Sequence, residues 1–429
     1  MPVAEEIAAP IGADEACVLF DWLAGRDRIA IAVSGGRDSM ALLRMMQRWA
    51  DRSEARMQIV ALTVDHDLRA GSQDEARQVA DWCAALGVEH HCLKWAGLKP
   101  QAGIQERARE ARYRLMSDWC HDHGFGALAL AHHLEDQAET LLMRLARSSG
   151  VDGLAAMERS SVRDGIELLR PLLNVPRARI EATLEAFNQD WIDDPSNADL
   201  AFERVRICSN AEALSDLGLD APAIAGSAAK LVRAAKALSK IAADRFIALT
   251  NVDATGFATI DGGALRREPQ EIAMRIISSA IKLVGGRERF SDGALARMTE
   301  GICDDTFRAA TLGGCRVSQE DGKILVVRES RSLPHTVISP GAVVNWDNRF
   351  AISLGNCEST VELRALGKRG FAAAKRLNPS LQTIPPIAGW VLPGGFRSGG
   401  LALAPDFGAS GEDSMLTVRF LRAGTQPEH

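Results

Sequence analysis

The stretch Ile29-Ala-Ile-Ala-Val-Ser-Gly-Gly-Arg-Asp-Ser-Met-Ala-Leu-Leu43 decides the fold of this chain. It begins with a short apolar, β-branched run, Ile29 to Val33, which is typical of a buried parallel strand. The chain then turns at Ser34-Gly35-Gly36, and from Asp38 onward apolar residues recur at helical spacing. Glycines let the backbone approach a ligand closely, and the helix N-terminus favours an anion. The stretch therefore predicts a phosphate-binding loop; an ordinary strand–turn–helix with Asp38 as the cap is the alternative.

This loop is not a Walker A motif, since it lacks the Gly-x-x-x-x-Gly-Lys-Ser/Thr pattern. The string Ser-Gly-Gly-x-Asp-Ser resembles the pyrophosphate-binding loop of the PP-loop ATP pyrophosphatases, which split ATP into AMP and pyrophosphate to adenylate a substrate. The resemblance implies ATP contacts from Ser34, Gly35, Gly36, Arg37, Asp38 and Ser39. We expect Mg²⁺ with the ATP phosphates, and Asp38, one turn from the glycines, is its natural carboxylate ligand.

Length and composition indicate a soluble globular protein of two or three domains. The 429 residues are 46% hydrophobic and 25% charged, with a net charge of −6. The N-terminus is acidic and no apolar stretch could span a bilayer, so we expect a cytoplasmic protein without a membrane segment. The eight cysteines contain no Cys-x-x-Cys pair, which is typical of reduced thiols. The net charge argues against indiscriminate nucleic-acid binding but allows a local basic face.

Strand and helix patterns alternate through the N-terminal part, which predicts an α/β fold with a doubly wound parallel sheet. Further strands are expected at residues 57–64, 89–93 and 127–131, and helices at residues 14–25, 72–86 and 103–116. Ligands of such sheets lie outside the carboxyl ends of the strands. We therefore expect Asp65 and His66, which follow the second strand, to contact a nucleotide or substrate. They could also be simple turn and cap residues.

A second candidate group, His132-His-Leu-Glu-Asp-Gln-Ala-Glu139, follows the fourth strand. Asp136 and Glu139 are three residues apart at a helix start, so their carboxylates share one face. Acids there could simply favour the helix dipole, but the two preceding histidines favour a function. The acids could bind a second metal, orient the acceptor or hold the ammonium group of an amine nucleophile. A zinc site is not expected, since no third nitrogen or sulfur ligand has suitable local spacing.

Composition also predicts the domain organisation. An N-terminal catalytic domain is expected over residues 1–215, and a mainly helical domain with a terminal hairpin at Asp321-Gly322 over residues 216–330. Residues 331–429 are expected to form a small α+β domain. The segment from Arg144 to Arg179 carries seven arginines against four acidic residues, which predicts part of an RNA-binding face.

Five segments occur together and in order that resemble the bacterial tRNA(Ile)-lysidine synthetases. They are Asp65 to Arg69, Ala131 to Leu145, Ser149 to Leu154, Arg170 to Leu173 and Trp191 to Asn197. The match covers about the first 210 residues. The resemblance implies that ATP adenylates the 2-carbonyl oxygen of the wobble cytidine in a CAU anticodon. The amine of free L-lysine would then displace AMP to give lysidine, changing codon and amino-acid identity from methionine to isoleucine.

The resemblance also implies roles for individual residues. Asp38, Asp136 and Glu139 would be catalytic, with Asp38 as the Mg²⁺ ligand; Arg112, Asp136 and Glu139 would bind lysine. The two C-terminal domains would bind the isoleucine tRNA; the sequence does not determine the oligomeric state, and a homodimer is one possible assembly. The chain departs from the family pattern at Glu135, which replaces an aspartate. It departs again at Val205 and Cys208, which replace the Asn and the last Arg of an Arg-Asn-x-x-Arg segment.

Three other functions compete with this one. A PP-loop tRNA thiolase would need paired cysteines, and Cys83, Cys92 and Cys120 lack that spacing. An amidotransferase-type synthetase would need a glutaminase module, for which there is no cysteine signature. A non-enzymatic ATP- or RNA-binding regulator would not need the acids that this chain retains. Pyrophosphate release that depends on both tRNA and lysine separates an enzyme from such a regulator.

Overall fold

A computed structural model describes residues 8–52, 57–67, 71–97, 99, 103–193, 201, 203–285, 290–355, 357, 359–408 and 415–421. The chain forms two compact units, residues 1–235 and residues 236–429. Among the helices so described, none combines the length and the apolar character needed to cross a membrane.

The first unit alternates strands and helices. Its strands are β1 (Arg28–Ala32), β2 (Gln58–Asp65), β3 (Glu89–Lys94), β4 (Ala127–Ala129), β5 (Ser160–Arg163) and β6 (Ile166–Leu169). Its helices are α1 (Ala13–Phe20), α2 (Arg37–Arg52), α3 (Ser72–Ala85), α4 (Ile104–His123), α5 (Leu134–Ala146), α6 (Val151–Leu154), α7 (Arg177–Ala186), α8 (Glu203–Cys208) and α9 (Ala211–Asp216). The structure has a strand or helix at each place expected from the sequence in this part, but three ends differ: α1 ends at Phe20 instead of residue 25, β4 ends at Ala129 instead of residue 131, and α4 continues to His123 instead of ending near residue 116.

The six strands form one sheet in the order β3-β2-β1-β4-β6-β5. Strand β1 pairs in parallel with β2 and β4, and β6 continues the parallel arrangement beside β4. This confirms the expected parallel sheet, to which the β5–β6 hairpin adds an antiparallel edge that the sequence analysis did not predict. The strand order reverses between β1 and β4, so the carboxyl ends of these two strands frame the crevice where a ligand binds.

Both faces of this sheet are covered, because successive residues of a strand point to opposite sides. Ile29 and Ile31 of β1 lie in a core shared with α1, α2 and α7. Ala30, between them, lies in a second core that includes Met116 and Cys120 of α4. Burial of β1 on both sides makes it a rigid base for the loop that follows it.

The second unit begins within α10 (Ala221–Leu249), which starts in the first unit. Its other helices are α11 (Gly262–Leu265), α12 (Gln270–Gly285), α13 (Asp292–Cys303), α14 (Gly367–Leu377) and α15 (Pro386–Gly389). Its strands are β7 (Thr250–Val252), β8 (Ala258–Asp261), β9 (Ala309–Leu312), β10 (Cys315–Glu320), β11 (Lys323–Arg328), β12 (Thr336–Ile338), β13 (Val343–Trp346), β14 (Phe350–Leu354), β15 (Val361–Ala365), β16 (Pro393–Arg397), β17 (Gly400–Leu403) and β18 (Leu416–Phe420). They form antiparallel sheets of five, four and three strands, in the orders β7-β8-β11-β10-β9, β12-β15-β16-β17 and β13-β14-β18.

The middle segment, residues 216–330, contains helices α10 to α13, and it also contains a five-stranded sheet that packs against α12, of which the sequence analysis predicted only the hairpin. The boundary expected at residue 330 does not separate two compact units: Leu325 and Val327 of β11 share one hydrophobic core with the C-terminal strands. The expected hairpin is confirmed, and Asp321 and Gly322 both have the positive φ angles that its two-residue turn requires.

Candidate active site

The loop after β1 is held in a tight turn by its own two serines. The Ser39 hydroxyl donates to the Gly36 carbonyl at 2.8 Å, and the backbone N–H of Ser34 donates to Ser39 Oγ at 3.2 Å. Gly35 has φ +84°, and a Cβ there would lie 2.7 Å from Val79 Cγ2, so only glycine fits. Helix α2 starts immediately afterwards, at Arg37. The strand, glycine turn and helix expected from the sequence are therefore present, with the helix N-terminus at the crevice.

Asp38 in this loop is joined to the second acid group through His133. His133 Nε2 lies 3.6 Å from Asp38 Oδ2 and 3.5 Å from Asp136 Oδ1. His133 Nδ1 donates to Glu135 Oε2 at 2.9 Å, and the same oxygen accepts the backbone N–H of Arg177 at 2.9 Å. The structure thus brings Asp38 and Asp136 into one site, with a buried imidazole between them.

The three carboxylates determine the charge of His133. Burial alone would lower the pKa of His133, but hydrogen bonds with Asp38 and Glu135 and the charge of Asp136 raise it to about 10. Burial would also raise the pKa of Asp38, but contact with the imidazolium holds it below its ordinary value. Glu135 behaves in the same way, since His133 outweighs its desolvation and lowers its pKa. His133 is therefore a cation at neutral pH, and Glu135, the departure from the family pattern, is one of its anionic partners.

Asp136 and Glu139 are buried on one face of α5, as the sequence predicted, and α8 covers them. The Arg204 guanidinium forms ion pairs with both carboxylates. Cys208 Sγ donates to Glu139 Oε1 at 2.7 Å, and the backbone N–H of His133 donates to Asp136 Oδ2 at 2.9 Å. Burial raises the pKa of Asp136 even though His133 and Arg204 oppose it. A pair of buried acids with cationic partners is suited to binding an ammonium or guanidinium group.

His132 is uncharged at neutral pH, whereas the neighbouring His133 is a cation. Burial and the positive charges of Arg170, Arg109 and Arg204 lower the pKa of His132 to about 3. Its Nδ1 is buried and has no hydrogen-bond partner among the residues described. A neutral imidazole with an unpartnered nitrogen can hydrogen-bond a nucleotide base or a phosphate oxygen.

The remaining site residues expected from the sequence differ in their contacts, and two of them, Asp65 and His66, lie at the end of β2. Asp65, at the end of β2, is buried and accepts the backbone N–H of Asp67 at 2.9 Å. His66 lies edge-on to Trp95, and its two ring nitrogens have no partner in the described part of the chain. Burial and the charges of Arg112 and Lys99 lower the pKa of His66 to about 4.

Arg112 is an exposed residue of α4, and its positive charge acts on His66, which follows β2. Arg37 forms an ion pair with Glu181 of α7 and lies over the Trp191 ring at 5.6 Å. Leu68 and Arg69 of one quoted segment, and residues 194–197 of another, are outside the described residues.

The arginines between Arg144 and Arg179 have intramolecular partners. Arg144 donates to the Gly153 and Ala156 carbonyls, and Arg179 forms a bidentate pair with Glu15. The other partners are Glu203 for Arg147, the Trp22 ring for Arg159, the Tyr113 ring for Arg163, Ser161 for Arg170 and Glu181 for Arg177. Much of the basic excess therefore stabilises the first unit, and an RNA-binding face there stays a prediction.

Sequence reasoning missed two features of the site. It named His133 without recognising that this residue joins Asp38 to Asp136. It also treated Arg204 and Cys208 only as parts of an altered segment, although both contact the acid pair. The available signal was the arginine-rich pattern at residues 204–208, but no local spacing relates it to α5.

Comparison with known proteins identifies the family. A PP-loop domain family matches residues 12–211. The chain is 37% identical over 345 residues to the tRNA(Ile)-lysidine synthase of Ruegeria pomeroyi, covering 80% of each chain. The corresponding enzyme of Brucella anthropi is 35% identical over 390 residues, covering 87% of this chain and 84% of that one. That of Bradyrhizobium diazoefficiens is 42% identical over 284 residues, covering 65% and 78%.

One similar solved structure has much lower sequence identity. The structure of the U34-tRNA thiolase NcsA of Methanococcus maripaludis aligns with 52% of this chain, and the alignment covers 78% of the thiolase chain. The TM-score is 0.45 and the sequence identity is 16%. The similarity to the lysidine synthases extends past the PP-loop domain into the second unit, since alignments of 345 and 390 residues exceed the 235 of the first unit. The chain therefore belongs to the tRNA(Ile)-lysidine synthases, ATP-dependent PP-loop ligases that form lysidine at the wobble cytidine of an isoleucine tRNA.

Proposed function

We propose that the two steps of lysidine formation use two halves of one crevice, with ATP at the Ser34–Ser39 loop and lysine at Asp136 and Glu139. The observation that supports this most directly is the contact of His133 with both Asp38 and Asp136, at 3.6 and 3.5 Å. Residues on two different strand ends are thereby held within reach of one reacting centre. Such closeness is what a reaction needs when a nucleotide intermediate must meet a second substrate.

Asp38 is the residue best suited to hold Mg²⁺ with the ATP phosphates. Its Oδ2 faces His133, whereas Oδ1 is buried and without a hydrogen-bond partner among the described residues. A hard, anionic oxygen with an unused coordination position fits Mg²⁺, which keeps several waters and takes few protein ligands. Mg²⁺ held by Asp38 would supply positive charge that neutralises the phosphates during adenylation.

Asp136 and Glu139 are proposed to bind the lysine amine and to help deprotonate it. Both carboxylates are buried, with side chains 9% and 10% exposed, so their attraction for an ammonium group is only weakly screened. The amine must lose a proton before it attacks C2 of the adenylated cytidine, and a neighbouring carboxylate can accept that proton. Displacement of AMP then completes the reaction, because adenylation has made the cytidine oxygen a good leaving group.

The finer partner assignments are proposals of the same kind. Residues 216–330 and 331–429 are proposed to bind the CAU-anticodon isoleucine tRNA together, because most of their length, residues 236–429, forms one compact unit outside the PP-loop domain. We further propose Arg112 as a contact of the lysine or nucleotide, since its charge acts at the crevice through His66. A homodimer and a cytoplasmic location remain part of the proposal.

The test of the reaction is mass analysis of an isoleucine tRNA with a CAU anticodon after incubation with enzyme, ATP and L-lysine. We expect a gain equal to one lysine less water on the wobble cytidine, together with AMP and pyrophosphate. A reaction lacking lysine should give pyrophosphate and an adenylated tRNA. An unmodified tRNA under all conditions would refute the proposed function.

A further inference from the structure

Side chains of helix α8 contact Asp136 and Glu139, the acid pair to which we have assigned the lysine amine. All four oxygens of Asp136 and Glu139 already have donors. Arg204 contacts one oxygen of each acid, Cys208 donates to Glu139 Oε1, and the backbone N–H of His133 donates to Asp136 Oδ2. The last of these belongs to the N-terminal cap of α5 itself. The other three contacts come from α8, so an incoming ammonium group finds no unused carboxylate oxygen while α8 is in place.

The cation that α8 supplies resembles the cation of the substrate. A guanidinium and an ammonium bind a carboxylate pair through the same charge-assisted N–H···O bonds. Burial opposes the charge of Arg204, but the two carboxylates outweigh it and raise its pKa. Arg204 is thus charged at any pH at which the enzyme works, and it neutralises the same two carboxylates to which the lysine ammonium is assigned.

We propose that Arg204 is a positioning residue that competes with the lysine ammonium for Asp136 and Glu139, so lysine binds only when α8 has moved aside. This inference rests on the proposed lysine site. None of the six residues of α8 is buried, and the Arg204 side chain is 46% exposed. Among the described residues, α8 is therefore held mainly by these polar contacts, and no residue of α8 belongs to a hydrophobic core that these residues form.

With competition of this kind, the apparent Kd for lysine equals the intrinsic Kd divided by the fraction of molecules in which the acids are free of α8. Removing the competing charge in Arg204→Gln should therefore tighten lysine binding. Because the guanidinium is half-exposed and partly screened, we expect the apparent Kd to fall about fivefold to twentyfold.

The experiment is equilibrium dialysis of radiolabelled L-lysine with the full-length enzyme, with lysidine formation measured alongside. Arg204→Lys keeps the charge and should bind lysine as weakly as the natural enzyme. Arg206→Gln is the matched control on the same helix, since Arg206 donates to the Ala201 carbonyl. It should leave the Kd unchanged. If Arg204→Gln binds lysine no more tightly, or more weakly, the inference is wrong.

A second measurement detects the movement without activity. Burial and the hydrogen bond to Glu139 raise the pKa of the Cys208 thiol to about 12, so it should react slowly with iodoacetamide. Saturating lysine should accelerate its alkylation about tenfold or more, as peptide mass mapping would show, while Cys92 reacts at an unchanged rate. An unchanged rate at Cys208 would overturn the inference. Lysidine formation by the natural enzyme separates this outcome from failure of the proposed function, which would abolish the product altogether.

Discussion

Replacement of His133 by glutamine should remove a large, pH-dependent part of the stability of the first unit. The pKa of His133 is about 10, against an ordinary value of 6.5, and that difference corresponds to about 5 kcal/mol. The geometry supports a contribution of this size, since carboxylate oxygens of Glu135, Asp136 and Asp38 lie 2.9, 3.5 and 3.6 Å from ring nitrogens of His133. At an effective dielectric constant of about 20 each contact would contribute roughly 5 kcal/mol, from which burial of the ring subtracts. We expect His133→Gln to lose about 3–5 kcal/mol near pH 6.

The loss should depend on pH in one direction. Because the pKa is raised in the folded protein, the contribution of His133 is fully present below pH 6.5 and disappears as the pH rises through about 10. The free energies of unfolding of natural and mutant protein should therefore converge between pH 6.5 and 10. His132→Gln is the matched control, since burial and neighbouring cations keep His132 neutral over this range, with a pKa of about 3.

Urea unfolding followed by tryptophan fluorescence is a suitable assay, because six of the eight tryptophans lie in the first unit, at positions 22, 49, 82, 95, 119 and 191. Titration of ¹³C-labelled histidine by NMR measures the pKa directly, and the resonance missing from His133→Gln identifies it. A natural-minus-mutant difference that stays constant from pH 6.5 to 10, or a His133 resonance titrating near pH 6.5, would refute the reasoning.

Three further predictions concern the reaction. Asp38→Asn should abolish pyrophosphate release, because Asp38 Oδ1, the oxygen assigned to Mg²⁺, has no hydrogen-bond partner among the described residues; the lost charge beside His133 should lower stability without unfolding the protein, which circular dichroism checks, and normal turnover would contradict the metal assignment. Glu139→Gln should raise the lysine requirement, with a loss on the order of 2–3 kcal/mol in lysine binding, and adenylated tRNA should accumulate; equal loss of pyrophosphate release and lysidine formation would contradict a lysine role. Charge reversal of Arg147 and Arg163 should weaken tRNA binding and flatten its salt dependence without changing ATP affinity, and unaltered tRNA affinity at two salt concentrations would show that both serve only the fold.

Local sequence was sufficient where the relevant interactions are local. The strand, the glycine turn and the helix start of the ATP loop lie within residues 29–43, and the structure has all three. Asp136 and Glu139 share a face of α5 because a helix brings residues three apart together, whatever surrounds it. The convergence of both groups was also foreseeable, since carboxyl ends of parallel strands meet at one edge of a sheet.

The sequence by itself thus determined the α/β class, the ATP loop and the two acids, because helix and strand periodicity and turn chemistry act over a few residues. Only the tertiary structure decided what these groups touch. Arg204 reaches Glu139 from 65 residues away, and no spacing rule relates residues so distant. The same holds for the β5–β6 edge and for the single core formed across residue 330. These features depend on which surfaces of finished helices and strands pack together, and the charges and pKa values of the site follow from that packing.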